Sequence, residues 1–129
     1  MPLVMIVDDD AHVISAIRRV LKRNPVEIVS AESAEEALVL LDRVRPALII
    51  SDYQMSGMDG LTFLKAAGQR YPRAILVLHT GTTATPKPGD DIRVLPKPSE
   101  PAALLALVGE MDNDIETPRR FWGAFARRQ

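Results

Sequence analysis

The chain has 129 residues, a charged fraction of 26%, a hydrophobic fraction of 47% and a net charge of -1. These values predict one globular domain with a substantial core, and they exclude a protein that binds polyanions through bulk charge. The chain has no cysteine, so disulfide and thiol chemistry are excluded. No apolar run approaches the roughly 20 residues that span a bilayer. The N-terminus lacks a basic signal region, so we expect a cytoplasmic protein without a transmembrane segment.

Short apolar runs alternate with helical patterns along the chain. Buried strands are predicted at residues 3–7, 26–30, 47–51, 74–79 and 92–95. Helices are predicted at residues 11–24, from Ser33 up to Pro46, at 61–71 and after Ser99, with Asp10, Ser33 and Ser99 as N-caps. Their predicted core-facing residues are Val13, Ile17, Val20 and Leu21; Ala37, Leu38, Leu41 and Val44; Leu61, Leu64 and Ala67; and Leu104, Leu105, Val108 and Met111.

The alternation of strands and helices predicts an α/β fold, in which right-handed crossovers build a parallel sheet with helices on both faces. Five strands in the flavodoxin-like order 2-1-3-4-5 place the first and third strands side by side. The segment between Thr80 and Lys97 contains prolines and glycines and few apolar residues. We therefore predict that a fourth helix at this position is short or absent.

Carboxylates follow two of the predicted strands. Asp8 and Asp9 come directly after the first strand, and Asp52 comes directly after the third, before a loop that contains Gly57 and Gly60. Because adjacent strands lie about 4.8 Å apart, these three acids are expected to share one small volume at the carboxyl edge of the sheet. Such a cluster is costly without a compensating cation, and its oxygen ligands favour Mg²⁺.

A hydroxyl and an ammonium group complete the predicted site. Thr80 follows the fourth strand and Lys97 follows the fifth, and both residue types bind phosphate oxygens. With acids to hold a metal and one spare carboxylate as nucleophile, this set indicates phosphoryl transfer to a carboxylate of the protein, which gives an acyl phosphate.

These motifs resemble the response-regulator receiver domain of two-component signalling over residues 3–111. The resemblance is carried by Val7-Asp8-Asp9-Asp10, by Asp52 with Met55, Gly57, Met58, Asp59 and Gly60, by Thr80-Gly81 and by Lys97-Pro98. It implies that Asp52 accepts a phosphoryl group from a phosphohistidine on a sensor histidine kinase or a histidine phosphotransfer protein. A receiver promotes its own aspartyl phosphorylation and dephosphorylation without being an enzyme in the usual sense.

The resemblance also implies a role for each site residue. Asp9 and Asp52 would bind Mg²⁺ directly, Asp8 through water and Gln54 through its backbone carbonyl. Thr80 and Lys97 would contact the phosphoryl oxygens, and the Lys97-Pro98 peptide would be cis.

One departure from the family pattern, together with the short or absent fourth helix, leaves alternatives open. Val94 stands where receivers usually have a tyrosine or phenylalanine, so the output is expected to be either unconventional or carried by another face. One alternative is a pseudo-receiver, an interaction module whose output does not depend on phosphorylation. A phosphatase with an aspartyl intermediate is disfavoured, because Gln54 cannot serve as its general acid. His12 and His79 lack metal-ligand spacing and are interpreted as an exposed helix residue and a strand-end residue.

We assign residues 1–112 to the receiver domain and residues 113–129 to a basic and aromatic tail. Phe121, Trp122 and Phe125 fall on one face of a possible short helix flanked by arginines. This tail is expected to be a short helix or linker, to pack on the domain, to mediate a homodimer, or to dock on a partner. We expect no direct contact with nucleic acid, since the chain has no room for a DNA-binding domain.

Overall fold

The computed structural model describes residues 1–81, 88–89, 91–112 and 115. The elements in this part of the chain are β1 (Leu3–Val7), α1 (Ala11–Leu21), β2 (Glu27–Ala31), α2 (Ala34–Leu40), β3 (Leu48–Asp52), α3 (Gly60–Arg70), β4 (Ile75–Thr80), β5 (Ile92–Pro96) and α4 (Pro101–Glu110). Within these residues, no helix combines the length and the apolar character that crossing a membrane requires.

All five strands are parallel and form one sheet in the order β2-β1-β3-β4-β5, which confirms the predicted topology. The central strands β1 and β3 are buried along their whole length. Because every strand runs in the same direction, the residues that end β1, β3, β4 and β5 meet at one edge of the sheet. The fold thus delivers the predicted site residues to a common edge.

Alternate residues of each strand face two separate cores. One core lies under α2 and α3 and includes Met5, Ile49 and Phe63. The other lies under α1 and α4 and includes Ile6 and Ile50. Packing on both faces leaves the central strands little freedom, so the residues at their ends are held in fixed positions.

Two of the three predicted N-caps are confirmed. The side chains of Asp10 and Ser33 accept backbone N–H bonds from the first turns of α1 and α2. The prediction for Ser99 is wrong, because Glu100 occupies the N-cap position of α4 and makes no side-chain cap bond. Pro101 is the first residue of that helix, and its ring removes one N–H that would otherwise need a partner.

The buried faces of two helices differ from the predicted stripes. In α1, Ile14 is buried although the sequence pattern did not include it. In α4, Leu104 and Leu107 are buried, whereas Leu105 is only half-buried. Residues 101–108 are almost entirely apolar, so helical periodicity could not select the inner face, and contact with α1 decides it.

Two predictions fall mainly outside the described residues. The described part of the chain has no helix between β4 and β5, but residues 82–87 and 90 are not described. In the predicted tail, residues 113–114 and 116–129 are likewise not described. Ile115, which belongs to that segment, is buried in the core under α1 and α4.

We predict that Gly60→Ala destabilises the protein. A Cβ atom at this position would lie 1.7 Å from the backbone oxygen of Asp52, so β3 or α3 would have to move. The expected loss in the free energy of unfolding, measured by urea denaturation, is about 2 kcal/mol or more. Gly109→Ala is the control, because no atom lies within 4 Å of the added Cβ and alanine favours a helix. Wild-type stability of Gly60→Ala would contradict this account of the packing.

Candidate functional site

Three carboxylates converge at the carboxyl edge of β1 and β3. Asp8 follows β1 and is 2% exposed, and Asp52 ends β3 and is 9% exposed. Asp9 is exposed to solvent. One carboxylate oxygen from each of the three residues lies within 4.8 Å of the other two. The structure therefore brings these acids together, as the strand order requires.

Lys97 joins the cluster from the end of β5. Its Nζ lies 3.0 Å from Asp8 Oδ2 and 3.1 Å from Asp52 Oδ1. Its backbone N–H donates to the carbonyl oxygen of Thr80 at 3.0 Å, which ties the segment after β5 to the end of β4. The ammonium group thus bridges two carboxylates, at positions 8 and 52, that lie 44 residues apart in the sequence.

The two carboxylate oxygens of Asp52 have different surroundings. Oδ1 accepts hydrogen bonds from the backbone N–H of Tyr53 at 2.9 Å and from Lys97. Within the described part of the chain, no group donates a hydrogen bond to Oδ2. Asp8 is held by both of its oxygens, since its Oδ1 accepts from the N–H of Asp10 at 2.9 Å. Asp52 therefore keeps one oxygen available for another ligand or for attack.

Burial dominates the electrostatics of Asp52 and Lys97. Burial raises the pKa of Asp52, and the charge of Asp8 adds to this rise while Lys97 opposes it. For Lys97, burial disfavours the charged form, but the hydrogen bonds and charges of Asp8 and Asp52 outweigh it and raise its pKa. One ammonium thus faces three acidic side chains, which leaves the site with an excess of negative charge.

The donor set fits a hard divalent cation. Three carboxylate oxygens within 4.8 Å of one another, one of them on exposed Asp9, can share an ion that stays open to solvent. Oxygen ligands of this kind are those that Mg²⁺ prefers, and the excess negative charge attracts it. The residues present are therefore suited to holding such an ion.

The other predicted site residues lie close by in the fold. Thr80 is the last residue of β4 and is 5% exposed, and it pairs in register with Pro96. Gln54 lies in the loop after β3, two positions beyond Asp52, with an exposed side chain. The Lys97-Pro98 peptide is cis, as the resemblance implied. The contacts of Thr80 and of the Gln54 carbonyl with a bound group remain predictions.

Sequence reasoning missed the burial of His79. This residue pairs in register with Asp52 and is 3% exposed. Neither ring nitrogen has a hydrogen-bond partner within the described residues. The signal was present, because β4 is an almost continuous apolar run and a residue near its end is buried with it.

Glu35 was also missed. It lies in the first turn of α2, and its Oε2 accepts a hydrogen bond from the backbone N–H of Met58 at 3.0 Å. The two residues are 23 positions apart, and no local sequence pattern connects them.

We predict that His79 makes the protein less stable in acid. Burial, followed by the charge of Lys97, lowers the pKa of His79 to about 4, from an ordinary value of 6.5. As the pH falls from 6.5 to 4, the unfolded chain binds a proton that the folded chain does not, so the free energy of unfolding falls. His79→Phe has no titratable group at this position, so its free energy of unfolding should not show this fall.

The measurement is urea unfolding at pH 7.5 and 4.5 without divalent cations. Between pH 7.5 and pH 4.5, the free energy of unfolding of the wild type should fall by about 2 kcal/mol more than that of His79→Phe. His12→Leu, at an exposed position of α1, is the matched control and should follow the wild type. Parallel pH dependence of wild type and His79→Phe would refute the prediction.

Comparison with known proteins agrees with the fold. The family model of the response regulator receiver domain matches residues 4–108. The chain is 37% identical over 110 residues to the response regulator protein FleR of Pseudomonas aeruginosa, covering 81% of this chain and 23% of FleR. It is 33% identical over 78 residues to the DNA-binding transcriptional regulator NtrC of Salmonella typhimurium, covering 60% of this chain and 17% of NtrC.

The same relationship is seen among solved structures. The chemotaxis protein CheY4 of Vibrio cholerae superposes with a TM-score of 0.75 at 27% identity, covering 87% of this chain and 99% of that one. The chain thus spans less than a quarter of FleR and NtrC but matches CheY4 almost end to end. On the fold, the acidic cluster and the matched family model, this chain belongs to the response regulator receiver domains of two-component systems.

Proposed function

We propose that this chain is a phosphoacceptor that takes a phosphoryl group onto Asp52 in a two-component phosphorelay. The observation that supports the proposal most directly is the carboxylate of Asp52. No described residue donates a hydrogen bond to its Oδ2, while Lys97 and Tyr53 hold Oδ1. The phosphodonor would be a phosphohistidine on a sensor histidine kinase or a histidine phosphotransfer protein. This assignment follows from the family to which the chain belongs.

In the proposed reaction, Asp52 Oδ2 attacks phosphorus, an oxygen–phosphorus bond forms, and the phosphorus–nitrogen bond to the donor imidazole breaks. The donor nitrogen keeps the electron pair of that bond. Contacts from Lys97 and the backbone of Tyr53 fix the orientation of the attacking carboxylate. Partial burial removes water from the nucleophile and strengthens its electrostatic interactions.

Lys97 and Thr80 are proposed to receive the phosphoryl oxygens. The Lys97 ammonium already lies at Asp52, so it can shift from the carboxylate to the added phosphoryl group over a short distance. The backbone bond from Lys97 to Thr80 keeps the ammonium-bearing and hydroxyl-bearing residues together. Preorganised donors of this kind stabilise charge that develops during transfer.

Mg²⁺ is the proposed cofactor. Asp9 and Asp52 would bind it directly, Asp8 through water and Gln54 through its backbone carbonyl. When bound, the ion supplies positive charge for the phosphoryl oxygens. The carboxylate of Asp8 accepts hydrogen bonds from Lys97 and from the N–H of Asp10, so it is fixed in position at the site.

A receiver of this kind is a signalling protein and not a conventional enzyme. We infer a cytoplasmic location, because histidine kinases present their phosphohistidine there. We also propose the division into a receiver domain of residues 1–112 and a tail of residues 113–129 that docks on a partner or a second copy. The DNA-binding role belongs to NtrC by its name, and no nucleic-acid contact is proposed for this chain.

Val94 favours a second candidate function, in which phosphorylation does not drive the output. Its side chain lies on β5, is 51% exposed, and has no ring that could change its position with the state of Thr80. The chain would then be a pseudo-receiver that binds its partner in one conformation. Phosphorylation of Asp52 distinguishes the two candidates.

We expect acetyl phosphate and Mg²⁺ to add one phosphoryl group to the intact protein, on Asp52, as seen by mass spectrometry. Asp52→Asn should abolish the modification because the nucleophilic oxygen is lost. Asp59→Asn is the matched control, since Asp59 caps α3 in the following loop and asparagine can also cap a helix. Absence of the added group in the wild type would favour the pseudo-receiver.

Lys97→Met is expected to increase the affinity for Mg²⁺. The variant removes a positive charge that lies 3.0 Å from Asp8 and 3.1 Å from Asp52 and that competes with a cation for the same carboxylates. Loss of this competition should lower the Kd for Mg²⁺ by roughly fivefold, as measured by isothermal titration calorimetry. Lys65→Met, at an exposed position of α3, provides the control. A weaker affinity in Lys97→Met would show that the lysine assists metal binding.

A further inference from the structure

The loop that follows Asp52 is fixed at both of its ends. The N–H of Gly60, at the end of the loop, donates to the carbonyl oxygen of Tyr53, at its start, at 2.8 Å. Asp59 accepts the N–H of Thr62 at 2.8 Å and so caps α3. These bonds close the loop at its base. Among the described residues, no hydrogen bond joins the middle part, residues 54–58, to another residue of the loop.

Glu35 holds the middle of this loop from α2. Its Oε2 accepts the N–H of Met58 at 3.0 Å. A Cβ atom at Gly57, where φ is +83°, would lie 2.8 Å from the same oxygen, so glycine at this position leaves room for the carboxylate. Within the described part of the chain, no other side chain outside the loop makes a hydrogen bond to residues 54–58. The backbone bond to Met58 lowers the pKa of Glu35, as expected when the ionised carboxylate accepts it.

Apolar contacts alone leave the loop backbone free to adjust. Met55 and Met58 are half-buried and pack against the core under α2 and α3. Methionine side chains are flexible, so such packing fixes a backbone less well than a directed hydrogen bond to an ionised group. The Glu35 carboxylate supplies that direction.

We infer that Glu35 is a positioning residue that sets the loop carrying Gln54 for Mg²⁺ binding beside Asp52. The inference rests on the proposed function, in which the Gln54 carbonyl is a ligand. If the loop is held before the ion arrives, binding does not have to order residues 54–58. By reciprocity, Mg²⁺ binding strengthens the bond between Glu35 and Met58.

The test compares the Mg²⁺ affinity of the full chain with that of three variants. We expect Glu35→Ala to raise the Kd roughly fivefold, which corresponds to about 1 kcal/mol and so to part of the contribution of one charge-assisted hydrogen bond. Glu35→Gln should give an intermediate Kd, because its amide oxygen still accepts a hydrogen bond but has no charge. Glu32→Gln, at an exposed acid just before α2 that makes no side-chain bond within the described residues, should match the wild type.

A second measurement follows the Met58 amide in the wild type. Hydrogen exchange at this N–H should slow when Mg²⁺ is added, whereas a purely structural bond would leave the rate unchanged. Wild-type affinity in Glu35→Ala, or a Met58 exchange rate that does not respond to Mg²⁺, would overturn the inference. If the wild type binds no Mg²⁺, the metal-dependent function falls as well, so the two failures are distinguishable. Should Glu35→Ala fail to fold, the exchange measurement alone decides.

Discussion

The structure depends on the ammonium of Lys97 lying between two largely buried carboxylates. Asp8 and Asp52 would repel each other at the end of β1 and β3, and burial makes that repulsion more costly. One lysine from the far end of the sheet partly neutralises them. The remaining negative charge is what makes the edge receptive to a cation, so the cost of gathering the acids and the proposed metal affinity have the same origin.

The parallel sheet makes this arrangement possible. Two cores, one on each face, hold β1 and β3 rigidly, and every strand delivers its last residue to the same edge. The close approach of Gly60 to the backbone of Asp52 then turns the chain directly into α3. The proposed phosphoacceptor thus lies between the packed strand that precedes it and the tightly closed loop that follows it.

Membership of the receiver family shows what this domain is related to, and its relatives differ widely in length. The chain spans 23% of FleR and 17% of NtrC, but it covers 99% of the CheY4 chain. Receivers therefore occur in proteins of very different size. In this chain, Val94 provides an exposed side chain without an aromatic ring on β5, and this is the basis of the second candidate function.

The sequence by itself determined where the strands lie, which chemical groups follow them and the family, because buried parallel strands are short apolar runs and the chemical groups come directly after them. The strand order 2-1-3-4-5 was taken from folds of this type, and the tertiary structure has that order. It could not select the inner face of α4, where residues 101–108 are apolar on nearly every side, and it placed the helix cap at Ser99 instead of Glu100. Only the tertiary structure decided that neither ring nitrogen of His79 has a hydrogen-bond partner among the described residues and that Glu35 reaches Met58. Both depend on contacts between distant segments, and such contacts leave no periodic signal in the chain.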